Sequence, residues 1–263
     1  MISLPVCKTI SAYAFYPYPY NSSYNMALSK IIAPQCENIE NNAFNHCINL
    51  SSFGFTSALQ HIGYRAFANC GSYISSFPFE LLNTAASIEG YLFEYGQLTT
   101  LSHSTLNKIP FAAFTNCALL SSLSLPQVTK VFASGFAYCS NISSINLPEC
   151  TELDYYAFAY CSDITYLSLP KCTSINSTAF IGCNFASTTI DALLMLYPDL
   201  CFNNANYTTL TLSSTSIPAY AFASCYSLTT IDLPNVTYIG RHAFDTCTSL
   251  SSINIPNITV ISD

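Results

Sequence analysis

Charge is what this sequence has least of. Only 8% of its 263 residues are Asp, Glu, Lys or Arg, against about 25% in an ordinary soluble domain, so Ser, Thr, Asn and Tyr must solvate the surface. Basic residues are scarcest: 7 Lys and Arg face 14 Asp and Glu, for a formal charge of -7. A nucleic-acid binder neutralises phosphates with Lys and Arg, and that class is excluded. Long apolar runs are missing too. No stretch approaches the roughly 20 unbroken apolar residues of a membrane-spanning helix, so no membrane insertion is expected. The opening Met1-Ile2-Ser3-Leu4-Pro5-Val6-Cys7 has neither the basic nor the apolar region of a signal peptide. Glycine is sparse, at 8 residues, and forms no phosphate-cradling loop. Disorder is excluded by the opposite measure: 51% of the residues are hydrophobic and 14% aromatic, unlike the composition of unfolded chains. The length suits one large domain or two small ones.

What the sequence does have is a repeat. Ala-Phe-x-x-Cys recurs at Phe44, Phe67, Phe114, Phe158, Phe180, Phe222 and Phe244, each with Ala before it and Cys three residues after; Phe136 and Cys139 repeat it with Gly135 in place of Ala. From Phe114 through Phe136 and Phe158 to Phe180, and from Phe222 to Phe244, the step is 22 residues. Ten residues before many of these rings sits a proline: Pro5, Pro34, Pro126, Pro148, Pro170 and Pro234. The last four close short apolar alternations such as Ile145-Asn146-Leu147.

An alternation of period 2 puts its apolar residues on one face of a strand, and proline ends that strand because it lacks the ladder N–H. The stretch Ile175…Ala179-Phe180…Cys183 has apolar residues at helix-like intervals and predicts a short helical or 3₁₀ turn that returns the chain. One such unit cannot bury its apolar face alone, whereas stacked units can. The expectation is an α/β solenoid, a right-handed superhelix with one short parallel strand per coil and the phenylalanines stacked inside. About eleven coils, centred on Phe15, Phe44, Phe67, Phe93, Phe114, Phe136, Phe158, Phe180, Phe202, Phe222 and Phe244, would span roughly 50 Å at about 4.8 Å each. Residues 71–112 and 184–218 are irregular. Extra residues surround Leu81–Ser87, and Ile190-Asp191-Ala192-Leu193-Leu194-Met195-Leu196-Tyr197 reads as a short helix ended by Pro198. Residues 1–263 are read as one solenoid. Leu4-Pro5 is already a strand end, and neither terminus shows the polar cap of a solenoid, so a segment of a longer array is expected.

These residues resemble the BspA-type leucine-rich repeats, whose pattern of apolar-x-x-apolar-x-apolar-Pro, a bend, then Ile-x-x-x-Ala-Phe-x-x-Cys is met most closely from Cys117 to Cys183 and from Cys225 to Pro256. The resemblance implies the leucine-rich repeat fold. It also implies a large surface or secreted protein of the kind found in host-associated bacteria and some protozoan parasites, with a role in adhesion. Fold alone does not fix function.

The 13 cysteines fall into two registers. Cys47, Cys70, Cys117, Cys139, Cys161, Cys183, Cys225 and Cys247 follow a Phe by three; Cys7, Cys36, Cys150 and Cys172 follow a Pro by two; Cys201 belongs to the degenerate coil. A residue repeated in every coil forms a row whose Cβ atoms stay about 4.8 Å apart, beyond the roughly 3.5–4.5 Å of a disulfide. The reading is therefore buried thiols with no disulfide; a pairing within one coil, such as Cys150 with Cys161, is the alternative. No Cys-x₂-Cys knuckle is present and tetrahedral zinc needs convergent ligands, so neither metal nor cofactor is expected. His46, His61, His103 and His242 share no register. Cys47 adjoins His46, yet catalytic pairs are spatial arrangements rather than sequence neighbours. Glu149, Glu152 and Asp154 cluster near one bend, as a solvated edge would. Asn-x-Ser/Thr at Asn21, Asn49, Asn141, Asn176, Asn206, Asn235 and Asn257 is expected by chance in so Asn-, Ser- and Thr-rich a chain.

Two surfaces remain as binding candidates. The outward strand positions read Ser122, Ser124, Ser144, Asn146, Tyr166, Ser168, Thr211, Thr230, Asp232, Ser252 and Asn254, a stripe of small hydrogen-bonding groups. The second set is Tyr138, Tyr155, Tyr156, Tyr160, Tyr220, Tyr226 and Tyr238 near the turns, since tyrosine offers large contact area at low entropic cost. The bland alternative is that both sets merely solvate the chain. The leading expectation is a non-catalytic recognition module that binds a host or extracellular protein or glycan; a spacer holding another domain away from the cell wall is the alternative. A hydrolase would need a convergent polar pocket.

Overall fold

The computed structural model describes residues 1–17, 27–56, 59–71, 74, 77–176, 178–183, 187–192, 209–212, 215–217, 219–226 and 228–263. The chain winds as a parallel-strand solenoid. Each regular coil has three sides. On the first lies a strand such as Ser122–Ser124 or Ser144–Asn146. On the second lies a two-residue strand such as Lys130–Val131 or Glu152–Leu153. The third is the turn that carries the phenylalanine. Strands pair in parallel with their counterparts one coil away, Ile145 opposite Leu167 and Leu153 opposite Ile175.

Proline makes the corner between the first two sides. The Cys150 N–H donates to the Leu147 carbonyl at 3.1 Å and the Cys172 N–H to the Leu169 carbonyl at 3.1 Å. Pro148 and Pro170 thus hold the second position of a β-turn, where their fixed φ is preset. The second strand escaped the sequence reading, which allowed one per coil; its signature is a polar-apolar dipeptide, too short to show a period.

The phenylalanine side is a run of turns rather than a helix. Residues two before and two after the ring are left-handed in coil after coil, as at Tyr156 (φ 58°) and Tyr160 (φ 58°) around Phe158. Within the coil, the Ala157 N–H reaches the Asp154 carbonyl and the Cys161 N–H reaches the Phe158 carbonyl. Alternate N–H groups point along the solenoid instead: Phe158 donates to Ala179 and Tyr160 to Ile181, both at 2.8 Å. The turn is therefore a third hydrogen-bonded edge. Its apolar spacing imitates a helix because its residues also return inward at short intervals. Among the described residues the one α-helix is Leu81–Thr84, within the expected irregular stretch.

Inside, the rings form the expected column. Phe114, Phe136, Phe158 and Phe180 are fully buried and stack with centroids 5.3, 5.2 and 5.7 Å apart and planes within 15°. Among the described residues the column runs from Phe15 to Phe180 and from Phe222 to Phe244. About nine turns are described, against about eleven expected, and Phe202 lies outside the described residues. The helix expected over 190–197 is also corrected. Ile190 to Ala192 belong to the six-residue strand Ser187–Ala192, whose Ile190 pairs with Leu167. A continuing ladder supplies every backbone partner there. Residues 193–197 of the expected helix lie outside the described residues.

Candidate functional site

The outward stripe of the first strand row is real but does not keep one register. Ser144 lies opposite Tyr166 and Asn146 opposite Ser168. Tyr166 then lies opposite Thr189, Thr189 opposite Thr211, Thr211 opposite Asp232, and Asp232 opposite Asn254. By repeat counting Asp232 and Asn254 should share the row of Asn146; they share the row of Ser144. The ladder slips by two residues through the long strand Ser187–Ala192, and a slip of two leaves each residue on its own face.

Ser122, Ser124, Asn146, Tyr166, Ser252 and Asn254 are exposed, while Ser144, Thr230 and Asp232 are half-buried. Asn254 Nδ2 donates to Asp232 Oδ1 at 2.8 Å. Ser168 must be corrected: it is 5% exposed. Its short side chain sits between Asn146 and the strand Ser187–Ala192, which runs on past it to pair Ala192 with Leu169. Thr211 is in a strand, with its side chain outside the described set.

All seven tyrosines of the second set are exposed, from Tyr220 at 39% to Tyr226 at 59%. Tyr138, Tyr156, Tyr160 and Tyr220 occupy left-handed turn positions, and Tyr238 begins the strand Tyr238–Ile239. Tyr13, Tyr91 and Tyr95 hold the same turn positions and were missed, although counting two residues either way from Phe15 and Phe93 finds them. Left-handed backbone costs an ordinary L residue about 1–2 kcal/mol and is relieved by Gly or Asn. Among the described residues tyrosine fills 7 of the 17 positive-φ positions held by residues other than glycine, so backbone ease does not account for it.

The rings are organised along the edge. Tyr138 stacks on Tyr160 with centroids 4.6 Å apart and planes 8° apart. Tyr160 in turn lies over Gly182, where an added Cβ would come within 2.4 Å of its ring. Tyr220 stacks on His242 at 5.1 Å, and Tyr155 meets Tyr156 edge to face at 6.0 Å. Stacking on neighbouring coils thus occupies ring faces of Tyr138, Tyr160 and Tyr220.

The residues with chemical potential are committed elsewhere. Cys47, Cys70, Cys117, Cys139, Cys161, Cys183 and Cys247 each donate their thiol to the carbonyl of the ring one coil earlier, as Cys161 does to Phe136 at 3.3 Å and Cys183 to Phe158 at 3.0 Å. Cys7, Cys36, Cys150 and Cys172 donate to the carbonyl two residues on. Burial pushes the Cys47 thiol up to about 12 and lowers neighbouring His46, the reverse of a thiolate-imidazolium pair. His103 meets Glu80 at 3.2 Å and His61 meets Ser87 Oγ at 3.1 Å. The carboxylates near the bend disperse: Glu149 pairs with Lys171 at 2.7 Å, Glu152 with Lys130 at 2.6 Å, and Asp154 accepts the Tyr155 N–H. Among the described residues no group of three or more His, Cys, Asp or Glu could hold a metal ion, and no helix is long and apolar enough to cross a membrane.

Comparison with known proteins gives a family. The sequence matches the BspA type leucine rich repeat region over residues 8–109, 86–209 and 151–263. No curated protein matches it. Among solved structures, a leucine-rich repeat protein from Bacteroides ovatus is 18% identical, over 99% of this chain and 82% of that one, with a TM-score of 0.46. A leucine rich cell surface protein from Faecalibacterium prausnitzii is 19% identical, over 96% and 86%, with a TM-score of 0.39. The pneumococcal vaccine antigen PcpA is 14% identical, over 99% and 78%, with a TM-score of 0.34.

Proposed function

This chain belongs to the BspA-type leucine-rich repeat family, and on that premise we propose that it is a non-catalytic recognition segment of a surface protein, binding a partner protein along its tyrosine-bearing turn edge. The observation that carries the reading is the exposed aromatic row at strained backbone positions, with Tyr138 and Tyr160 stacked and 48% and 43% exposed. Rings held by packing lose little freedom on binding, which is why rigid tyrosines make good anchors. The Tyr160 ring has a neighbour on each face, Tyr138 and Gly182, which leaves a sugar no open face on that ring. Outward edges and hydroxyls suit a protein surface, with its mixture of apolar groups and hydrogen-bond acceptors. The Ser and Thr stripe offers less, because small hydroxyls contribute little apolar area and are rarely hot spots.

The test is surface plasmon resonance of the chain against immobilised extracellular matrix proteins, beside a glycan array. Saturable protein binding is expected, weakened at least about tenfold by Tyr138→Ser with Tyr160→Ser and changed less than about twofold by Ser122→Ala with Ser124→Ala. Binding to glycans alone, or full binding by the tyrosine variant, overturns the reading. Absence of any saturable binding favours a spacer.

A further inference from the structure

The second strand row parts between Ser87–Ile88 and Lys108–Ile109, which fall in different sheets. One residue accounts for part of the break. In regular coils the residue four before the ring donates its N–H to the preceding coil: Gly63 to Ile39 at 2.7 Å, Glu89 to Ile62 at 2.8 Å, Phe132 to Ile109 and Asp154 to Val131 at 3.0 Å; the Phe222 coil has Pro218 there instead. In the Phe114 coil that residue is Pro110, which has no N–H to give. The Ile88 carbonyl therefore lacks the ladder bond that Ile39, Ile62, Ile109 and Val131 receive. The two coils stay joined at the turn edge, where the Phe93 N–H reaches Ala113 at 2.7 Å. They are also bridged by Asn83, which accepts the Asn107 N–H at 3.0 Å and donates to the Thr105 carbonyl at 2.7 Å.

Between those joints a cleft of about 200 Å³ opens, lined by Ala85, Ile88, Lys108, Pro110, Phe111 and Phe132. Its walls are mostly apolar, and Phe111 is 41% exposed at the rim. Its charge is unbalanced. Neighbouring Lys130 is held by Glu152 at 2.6 Å and lies over the Phe132 ring at 4.5 Å, whereas Lys108, half-buried, has no ion-pair partner among the described residues. Lys108 and Lys130 also face each other across the ladder, so an anion here would relieve a like-charge pair.

We propose that this cleft binds the carboxy-terminal residue of a partner polypeptide, its apolar side chain between Phe111, Phe132 and Pro110, its carboxylate on the Lys108 ammonium, and its amide N–H on the Ile88 carbonyl. Three features favour a chain end over other occupants. The volume is below the roughly 300–1,000 Å³ of a site for a drug-sized ligand and suits one side chain. The lone ammonium calls for one negative charge, and a charge-assisted bond is the strongest single contact available there. The carbonyl left without its ladder partner calls for a backbone donor, as in strand addition at a sheet edge. The site is separate from the Tyr138 and Tyr160 edge and is tested independently of it.

The experiment is an NMR titration of the intact chain with N-acetyl-glycyl-phenylalanine, followed through the methyl groups of Ala85 and Ile88. The probe is compared with its carboxamide and with 3-phenylpropanoate, which keeps ring and carboxylate but lacks the amide. Saturable shifts are expected for the free acid, with the carboxamide at least about tenfold weaker and 3-phenylpropanoate also weaker than the peptide. Lys108→Met should lose about tenfold for the acid and bind acid and carboxamide alike, and Lys108→Arg should restore the preference. Circular dichroism confirms that both variants fold. No saturable shift, equal affinity for acid and carboxamide, or an unaffected Lys108→Met overturns the proposal. Equal affinity for 3-phenylpropanoate overturns the assignment to a polypeptide end.

Discussion

Replacing Phe158 by Ala tests whether the aromatic column is the axis of cohesion. The ring is fully buried and stacked on both sides, at 5.2 Å on Phe136 and 5.7 Å on Phe180. Truncating a buried Phe costs about 3–5 kcal/mol, depending on how far the cavity collapses. Collapse is poor here, because the coils above and below are held apart by their ladders, so the upper part of that range is expected. The loss has a position as well as a size. In a solenoid, stability is approximately a sum of coil terms and nearest-neighbour terms, and Phe158 contributes to two interfaces. Phe15 is only partly buried against the core and, among the described residues, stacks on Phe44 alone, at 5.1 Å, so Phe15→Ala should cost about half as much. Phe158→Leu, which keeps most of the volume, should lose chiefly two ring pairs, about 1–3 kcal/mol. The assay is urea unfolding followed by far-ultraviolet circular dichroism. Phe158→Ala should lower the midpoint most and broaden the transition as the two halves uncouple, whereas Phe15→Ala should leave one transition. Equal losses at the two positions, or a central loss below about 1 kcal/mol, would refute the reasoning.

Two further outcomes follow from the coil geometry. Burial pushes the Cys47, Cys183 and Cys225 thiols up to about 12 from an ordinary value near 9.0, so above pH 9 the unfolded chain releases protons that the folded chain keeps. Their stabilisation is complete below about pH 9 and falls as pH rises toward 12, by about 1.4 kcal/mol per pH unit for each thiol. Urea midpoints at pH 8, 9 and 10 should decline with that curvature, and replacing these three cysteines by Ala should make the decline shallower without abolishing it, because burial also raises Cys36, Cys70, Cys139 and Cys161; a flat profile in the parent would contradict the burial. Gly182 has φ +72°, with the Tyr160 ring where a Cβ would go. Gly182→Ala should therefore cost at least about 1–2 kcal/mol in thermal unfolding and displace Tyr160, read as a shift of its ring proton resonances.

The legible part of this structure was whatever the coils repeat at equal spacing. Phe114, Phe136, Phe158 and Phe180 recur at 22 residues, and their stacking, the thiols behind them and the exposed turn tyrosines all follow from that register. What stayed hidden depends on contacts between unlike coils. The two-residue slip through Ser187–Ala192 cannot be counted from repeats, because the repeat is degenerate where it occurs. Ser168 looks outward by period and is covered by a neighbour longer than the pattern allows. Left-handed residues on either side of each ring cast a helix-like shadow in the sequence, since spacing reports which residues turn inward and not the backbone path. Pro110 was visible as a residue but not as an event. It matters because its counterparts Gly63, Glu89, Phe132 and Asp154 donate to the coil before, which only the hydrogen-bond pattern discloses.

The hydrogen bonds between coils run along the solenoid, on both strand rows and on the ring-bearing edge alike. A mechanical load applied between the two ends would meet them head-on instead of in shear, so they would part a few at a time, like the teeth of a zip. Each regular coil of 22 residues that let go would lengthen the tether by about 70 Å. Such a molecule would yield in small steps under drag and rewind when the pull relaxed.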